Sequence, residues 1–274
     1  HASMVTGVRP ARHGIDWNDY RPSRGFVGVP TIFQIATAHG MRAAMFVNKE
    51  KLRHLAPSDA LHRFAHVGHT AAKVAPAAAA YYRRYRPQLL LVHMADPDTA
   101  GHASGWMSPA QFRALTACDS AVAEIVRAIR QAGDWERTLL IVTADHGGAG
   151  RDHGANRPVN RLIPWFAAGG AARPNGEVRR TISICDTAPT ALHALGLPIP
   201  AECEGHPVVE ALARAPLPAG ASLPTTPIDR FDTPLVAHSL PWGIALGVVL
   251  VALRGLRRRP RNGRNHPPGG ESIE

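Results

Sequence analysis

The sequence predicts an α/β domain with a central, mainly parallel sheet and helices on both faces. Three observations carry this. Residues 89–94 (LLLVHM) and 138–144 (TLLIVTA) are continuous apolar runs, as expected of strands buried on both faces. An amphipathic helix is expected between them. Ser108 is placed to cap it and Pro109 to occupy its first position. Phe112, Leu115, Val122, Ile125, Val126 and Ile129 then recur at three- and four-residue spacing, and Gly133 closes the run. A strand–helix–strand order of this kind implies a right-handed crossover between parallel strands.

The other elements are placed around these. Residues 1–30 read as loops around a short helix, and residues 31–39 as a helix stopped by Gly40. Residues 42–48 (RAAMFVN) read as a short strand. The Ala-rich stretch from there to Tyr85 reads as helical, with Pro76 as a break. Residues 163–168 are a third strand, and residues 186–195 a helix. The α/β domain is expected to span 1–214, with a Pro-rich linker over 215–234. Residues 235–253 form an apolar stretch near the minimum length for a membrane helix, broken by His238, Ser239 and Pro241. Residues 254–274 read as a basic, disordered tail.

A chain of 274 residues with 45% apolar content has enough material for a packed core, which excludes global disorder. The formal charge is +10, with six arginines between Arg254 and Arg264. That excess reads as local and compositional, and no nucleic-acid partner is expected. The arginines after the apolar stretch fit a cytoplasmic flank. This would anchor the protein in a membrane with the main domain outside the cytoplasm; the alternative is a cytoplasmic protein with a surface helix. The three cysteines (Cys118, Cys185, Cys203) have neither zinc-finger nor redox spacing. Cys118 reads as a small core hydrophobe.

The acids and histidines carry the functional signal. The run at 89–94 leads directly into Asp96-Pro97-Asp98-Thr99-Ala100-Gly101-His102. The run at 138–144 leads into Asp145-His146-Gly147-Gly148. Both clusters would lie beyond the carboxyl ends of parallel strands, where open α/β sheets place their sites. Two carboxylate–imidazole pairs at one edge suit a borderline cation such as zinc. Asp98 and His102 are four apart, with Gly101 expected to let the backbone turn between them. His153 follows closely enough to return to the site. Asp145-His146-Gly147-Gly148 taken alone could equally be an ordinary surface turn; two such clusters after two buried strands favour a site. Other histidines are discounted. His62, His66 and His69 read as an exposed helix face, and His93 as a hydrogen-bonded core residue. Arg83, Arg84 and Arg86 read as a solvated turn.

The run 97–102, then Thr143-Ala144-Asp145-His146-Gly147-Gly148, then His153, resembles the alkaline-phosphatase superfamily, and within it the type I phosphodiesterase/nucleotide pyrophosphatase group. Residues 1–15 (HASMVTGVRPARHGI) resemble the stretch that follows that group's nucleophile. Residues 186–190 with 195–198 resemble its late helix and turn. Glu204-Gly205-His206-Pro207 resembles its closing motif, with Glu where Asp is usual. The resemblance implies an alkaline-phosphatase-like fold and two divalent metal ions, zinc being expected. Asp98, His102 and His153 would hold one ion. Asp145 and His146 would hold the second, together with a first-strand acid and the nucleophile. Asn18 would donate to a phosphoryl oxygen. The implied activity is hydrolysis of a phosphoester small molecule or nucleotide through a covalent intermediate. The rivals are another branch of the superfamily, such as a sulfatase or phosphoglycerate mutase, and a non-catalytic membrane-tethered protein that keeps the fold.

By the same resemblance, the nucleophile and the first-strand acid precede the position of His1, and neither Ser3 nor Thr6 takes the nucleophile's place. A missing first strand would leave a sheet edge or a groove open. Residues 1–274 alone are therefore expected not to turn over an activated phosphodiester at an enzymatic rate. The check compares this chain with an upstream-extended version, both loaded with zinc. Comparable turnover would make Ser3 and Thr6 the candidates.

Overall fold

The structure is a computed structural model that describes residues 1–57, 59–174, 176–213 and 248–253. In chain order its elements are α1 (Ala2–Thr6), α2 (Pro10–His13), α3 (Ile32–Ala38), β1 (Ala43–Val47), β2 (Arg63–His66), α4 (Ala71–Tyr85), β3 (Leu89–His93), α5 (Asp96–Ser104), α6 (Pro109–Gln131), β4 (Thr138–Thr143), α7 (Pro158–Arg161), β5 (Trp165–Ala168), α8 (Thr187–Leu195) and β6 (Val248–Leu253). One six-stranded sheet runs β2-β1-β3-β6-β4-β5.

Alternation along the strands builds two cores. Met45 and Val47 of β1, Leu89 and Leu91 of β3, and Leu139 and Ile141 of β4 face one side, where α1, α3 and α8 pack through residues such as Met4, Phe33 and Leu192. Phe46, Leu90, Val92, Leu140 and Val142 face the other side, against α4 and α6 through Tyr82, Ile125 and Ile129. This is the expected three-layer arrangement, in which a sheet buried on both faces needs apolar residues at every position.

Strand direction positions the site. β1, β2 and β3 are parallel. β6 runs antiparallel to both β3 and β4, so β3 and β4 point the same way and end at the same edge. β5 is antiparallel to β4 at the sheet margin. β6 occupies the position between β3 and β4. Of the apolar stretch 235–253, only 248–253 lies within the described residues, and there it is a strand, not a helix. Residues 214–247 and 254–274, which include the expected linker and basic tail, lie outside the described residues. Among the described residues, no helix is long and apolar enough to cross a membrane.

Two local expectations change. The stretch before Tyr85 is not continuously helical. A 3₁₀ turn over Glu50–Leu55 and the edge strand β2 come first, so His62, His66 and His69 share no helix face. The helix starts only at Ala71, whose N–H is capped by the Asp96 carboxylate at 2.8 Å. Pro76 sits inside α4 without ending it. The buried face formed by Val74, Ala75, Ala78, Ala79 and Tyr82 packs against α6 and offsets the roughly 3 kcal/mol cost of an interior proline. The second change concerns residues 96–104, which form a helix and not a loop. Ser108 caps α6 as expected; at α3, Thr31 and Gln34 close a capping box that the sequence reading did not name.

A buried carboxylate fastens α4 to the start of β4. Asp134 accepts from the Tyr82 hydroxyl at 2.8 Å, from Arg86 at 2.5 Å and from Arg137. Burial alone would raise its pKa, but Arg137, Tyr82 and Arg86 outweigh burial and hold it below the ordinary carboxylate value. A depressed folded-state value gives stability that is present above the unfolded pKa, about 4, and is lost as pH falls through the folded value. Asp134→Ala also leaves the Tyr82 hydroxyl buried without its acceptor. It should cost about 3 kcal/mol at pH 7, read by urea denaturation, and clearly less near pH 3. Equal losses at both pH values would show that the ionised carboxylate contributes nothing beyond its volume.

Candidate metal centre

α5 starts three residues after β3 ends, so its first turn lies over the carboxyl edge of the sheet. Four-residue spacing on this helix puts Asp98 and His102 on one face. The loop after β4 brings His146 and His153 to the same place. The Nε2 atoms of His102, His146 and His153 lie 3.5, 3.6 and 3.7 Å from a single atom, Asp98 Oδ1. One ligating atom from each of Asp98, His102 and His153 lies within 4.8 Å of the others, the spread of donors around one cation. The rings of His146 and His153 stack with centroids 3.8 Å apart.

The hydrogen bonds around this cluster aim its lone pairs inward. His102 Nδ1 lies 2.9 Å from the Arg151 carbonyl, and His146 Nδ1 lies 2.9 Å from the Gly147 carbonyl. A carbonyl only accepts, so each Nδ1 carries the hydrogen, and in the neutral ring Nε2 presents a lone pair to the centre. His102 Nε2 and His153 Nε2 face each other at 3.1 Å, a separation that requires a proton or a cation in reach of both. Asp98 Oδ1 is buried without a hydrogen-bond partner, while Lys49 pairs with Oδ2 at 2.6 Å. An orphaned carboxylate oxygen among imidazole nitrogens fits a divalent cation with mixed N/O ligation. The His153 imidazole is held below its ordinary pKa by burial first and then by His146, which favours its neutral, ligating form.

The glycines of both motifs serve one indole. Trp106 is buried, with its ring against the backbone at Gly101 and Gly148. A Cβ would meet the ring at 2.8 Å at Gly101 and at 2.1 Å at Gly148. The indole stands edge-on to His102 at 5.1 Å and to His153 at 5.7 Å. Gly101 is therefore not a turn between Asp98 and His102. It is the clearance that lets Trp106 close one side of the cluster.

Asp145 lies beside this group. Its Oδ2 is 3.5 Å from His146 Nε2 and 3.1 Å from His1 Nδ1. His146 thus stands between Asp98 and Asp145 and does not belong to one side alone. His93, at the end of β3, packs edge-on against His1 at 4.9 Å. It was expected to be a hydrogen-bonded core residue, yet its Nδ1 is buried without a partner. Burial, opposed by Asp145, takes its pKa down to about 3. Asn18 is exposed and stands apart from the histidine cluster, at the rim of a cavity of about 220 Å³ that His1, Ser3 and Lys51 also line. Its side-chain carbonyl accepts from Lys51. The Ser3 hydroxyl lies 3.1 Å from His13 Nε2, and the buried Thr6 hydroxyl donates to the Ala2 carbonyl. Sequence reasoning missed Trp106, Lys49 and Lys51. The two lysines follow β1 directly, and that adjacency to a strand's carboxyl end was the signal available.

An α/β sheet with an Asp/His centre at its carboxyl edge defines the class, that of the alkaline-phosphatase-like domains. The chain belongs to the type I phosphodiesterase/nucleotide pyrophosphatase family, whose model matches residues 1–168. It is also similar to two enzymes described as 2,3-bisphosphoglycerate-independent phosphoglycerate mutases. The one from Cereibacter sphaeroides is 34% identical over 134 residues, which is 45% of this chain and 24% of that one. The one from Onchocerca volvulus is 34% identical over 128 residues, 44% and 23% of the two chains. The chain thus spans about a quarter of the length of these relatives. Among solved structures it is similar to Ps i-CgsB, with TM-score 0.55 and 12% identity, covering 75% of this chain and 63% of that one. A protein from a glycosaminoglycan-metabolism locus of Bacteroides thetaiotaomicron gives TM-score 0.56 and 17% identity, covering 79% and 64%. At these identities the likeness to both structures speaks for the fold alone.

Zinc titrated into residues 1–274 is expected to fill one tight site. His102→Ala and His153→Ala should each weaken it by at least tenfold in calorimetry, because each removes a ligand. His62→Ala, remote from the cluster, should leave it unchanged. Unaltered affinity in both ligand variants would remove the centre from these residues.

Proposed function

We propose that this protein is a metal-dependent hydrolase of phosphoesters, acting on phosphodiesters or nucleotide pyrophosphates through a covalent intermediate. The observation that carries the reading is the convergence of three imidazole Nε2 atoms on the unpartnered oxygen of Asp98, within the residues that the family model covers. Asp98, His102 and His153 would hold one divalent ion, zinc by the chemistry of the donors. Asp145 and His146 would contribute to a second. When bound, such ions supply charge stabilisation at phosphoryl oxygens and activate a hydroxyl nucleophile.

The chain's own residues have separate tasks. Trp106 closes one side of the cluster. The Arg151 and Gly147 carbonyls hold the imidazoles in the ligating tautomer. Asn18, a neutral donor at the rim, would offer its amide N–H to a phosphoryl oxygen, where negative charge develops. Glu204 pairs with Arg9 at 2.6 Å, and the Gly205 N–H donates to the Gly7 carbonyl. These contacts tie the closing motif to the loop after α1.

A phosphoglycerate mutase-type phosphoryl transfer is the second reading, favoured by the 34% identity to such enzymes over 134 residues. The two readings separate on a substrate panel. The full-length protein, loaded with zinc, is expected to cleave activated phosphodiesters and nucleotide pyrophosphates. Asn18→Ala should lower kcat by roughly 10²–10³-fold with little change in KM. Interconversion of phosphoglycerates without diester cleavage would favour the mutase reading. An unchanged kcat in Asn18→Ala would remove that residue from the transition state.

A further inference from the structure

Two helices of this chain begin alike and use the same residue type differently. In α3 the N-cap Thr31 is followed three residues later by Gln34. Its Oε1 accepts from the Thr31 N–H at 3.0 Å and closes a box on its own helix. In α6 the N-cap Ser108 is followed at the same spacing by Gln111, and the Ser108 hydroxyl accepts from the Gln111 N–H at 3.2 Å. The Gln111 side chain does not complete the box. The Ser108 N–H is directed to the Gly105 carbonyl, and the Gln111 amide reaches outside its own helix. Its Oε1 accepts from the Met107 N–H at 2.6 Å, and its Nε2 donates to the Pro97 carbonyl at 3.2 Å. Gln111 is 1% exposed, so water does not compete for either bond.

Both partners belong to the frame of the metal centre. Pro97 immediately precedes Asp98 in the first turn of α5, so a hold on its carbonyl fixes the end of the helix that carries the carboxylate. Met107 follows Trp106 and has φ 66°, a left-handed conformation that a residue with a side chain keeps only when its surroundings impose it. The turn so formed seats the Trp106 indole against Gly101 and Gly148, and the Trp106 N–H donates to the Gly150 carbonyl at 2.7 Å. One buried amide thus links the start of α6 to α5 and to the turn that lies on the loop carrying His153.

We propose that Gln111 is a positioning residue of the metal centre, whose two hydrogen bonds set Asp98 and His102 on α5 against the loop that carries His153. The inference rests on the metal-centre reading above and adds the residue that fixes its geometry. Gln111 holds no cation itself and acts through Pro97 and Met107. The task needs a donor and an acceptor on one short, neutral side chain, which an amide supplies. A cation held by ligands from two segments is bound only as tightly as those segments are kept in register, so loosening their common anchor lowers affinity without removing a ligand.

The test uses the full-length protein and its Gln111→Met form, which keeps the length of the side chain and removes both bonds. Val122→Ala, a core truncation on the same helix, is the control for stability. Zinc binding is read by calorimetry, cobalt(II) binding by its visible absorption, and stability by urea denaturation without metal. Gln111→Met should bind zinc roughly tenfold more weakly or worse and should alter the cobalt bands. Val122→Ala should lower the urea midpoint, keep zinc affinity within about twofold and leave the cobalt bands unchanged. Wild-type zinc affinity and cobalt bands in Gln111→Met would overturn the proposal. An equal loss of affinity in Val122→Ala would also overturn it, by making the effect one of general stability. If Gln111→Met does not fold, Gln111→Glu takes its place with the same expected and overturning results, since it keeps the acceptor for Met107 and loses the donor to Pro97. His102→Ala separates this proposal from the centre itself. Weaker zinc binding in His102→Ala alone removes only the role of Gln111, and no loss in either variant removes the centre and that role together. Weaker binding in both, in a protein that cleaves no phosphodiester, supports the role of Gln111 and ends the hydrolase reading.

Discussion

Asp98 Oδ1 is a buried carboxylate oxygen with no hydrogen-bond donor and three imidazole nitrogens around it. Leaving such an atom unpaired costs a folded protein more than most single contacts contribute. The surrounding architecture is arranged to keep it there. β3 delivers α5 to the edge of the sheet, and Asp96 engages the start of α4. The Asn48 side chain, which accepts from the Ala95 N–H at 3.2 Å and donates to the Val67 carbonyl at 2.9 Å, sews the ends of β1, β2 and β3 together. Lys49 completes the arrangement by occupying the other oxygen. The edge is thus a rigid frame that holds one electron-rich point, as expected where a cation belongs.

The layers were legible because burial on both faces leaves no polar position. β3 and β4 read directly as apolar runs, and Ser108-Pro109 marked the start of α6. What remained hidden depended on pairing across the chain. β2 carries Arg63 and His66, both exposed, around the half-buried Phe64 and Ala65, and it becomes a strand only because β1 offers a parallel partner. The direction of β5 and the insertion of β6 are likewise long-range facts. Pro76 shows the opposite case, in which a strong local signal gives way to packing.

At the site, Asp98, His102, Asp145, His146 and His153 were legible as residues, because acids and histidines directly after buried strands have few structural uses. Their grouping was not. Spacing suggests two separate pairs, whereas the coordinates place His146 within 3.6 Å of both Asp98 and Asp145. Lys49 and Lys51 carry no motif. Their importance comes from the register of β1 against β3, which pairs Val47 with His93 and brings the turn after β1 level with the histidines.

The seat of Trp106 has an evolutionary consequence. One indole rests on two glycines that belong to different motifs, 47 positions apart by subtraction of 101 from 148. A side chain at either glycine is tolerated only if the residue at 106 shrinks, and shrinking it opens space over both motifs at once. Positions 101, 106 and 148 should therefore drift as a trio, not singly. Lineages that replace the tryptophan should be those in which one of the two glycines has been released to vary.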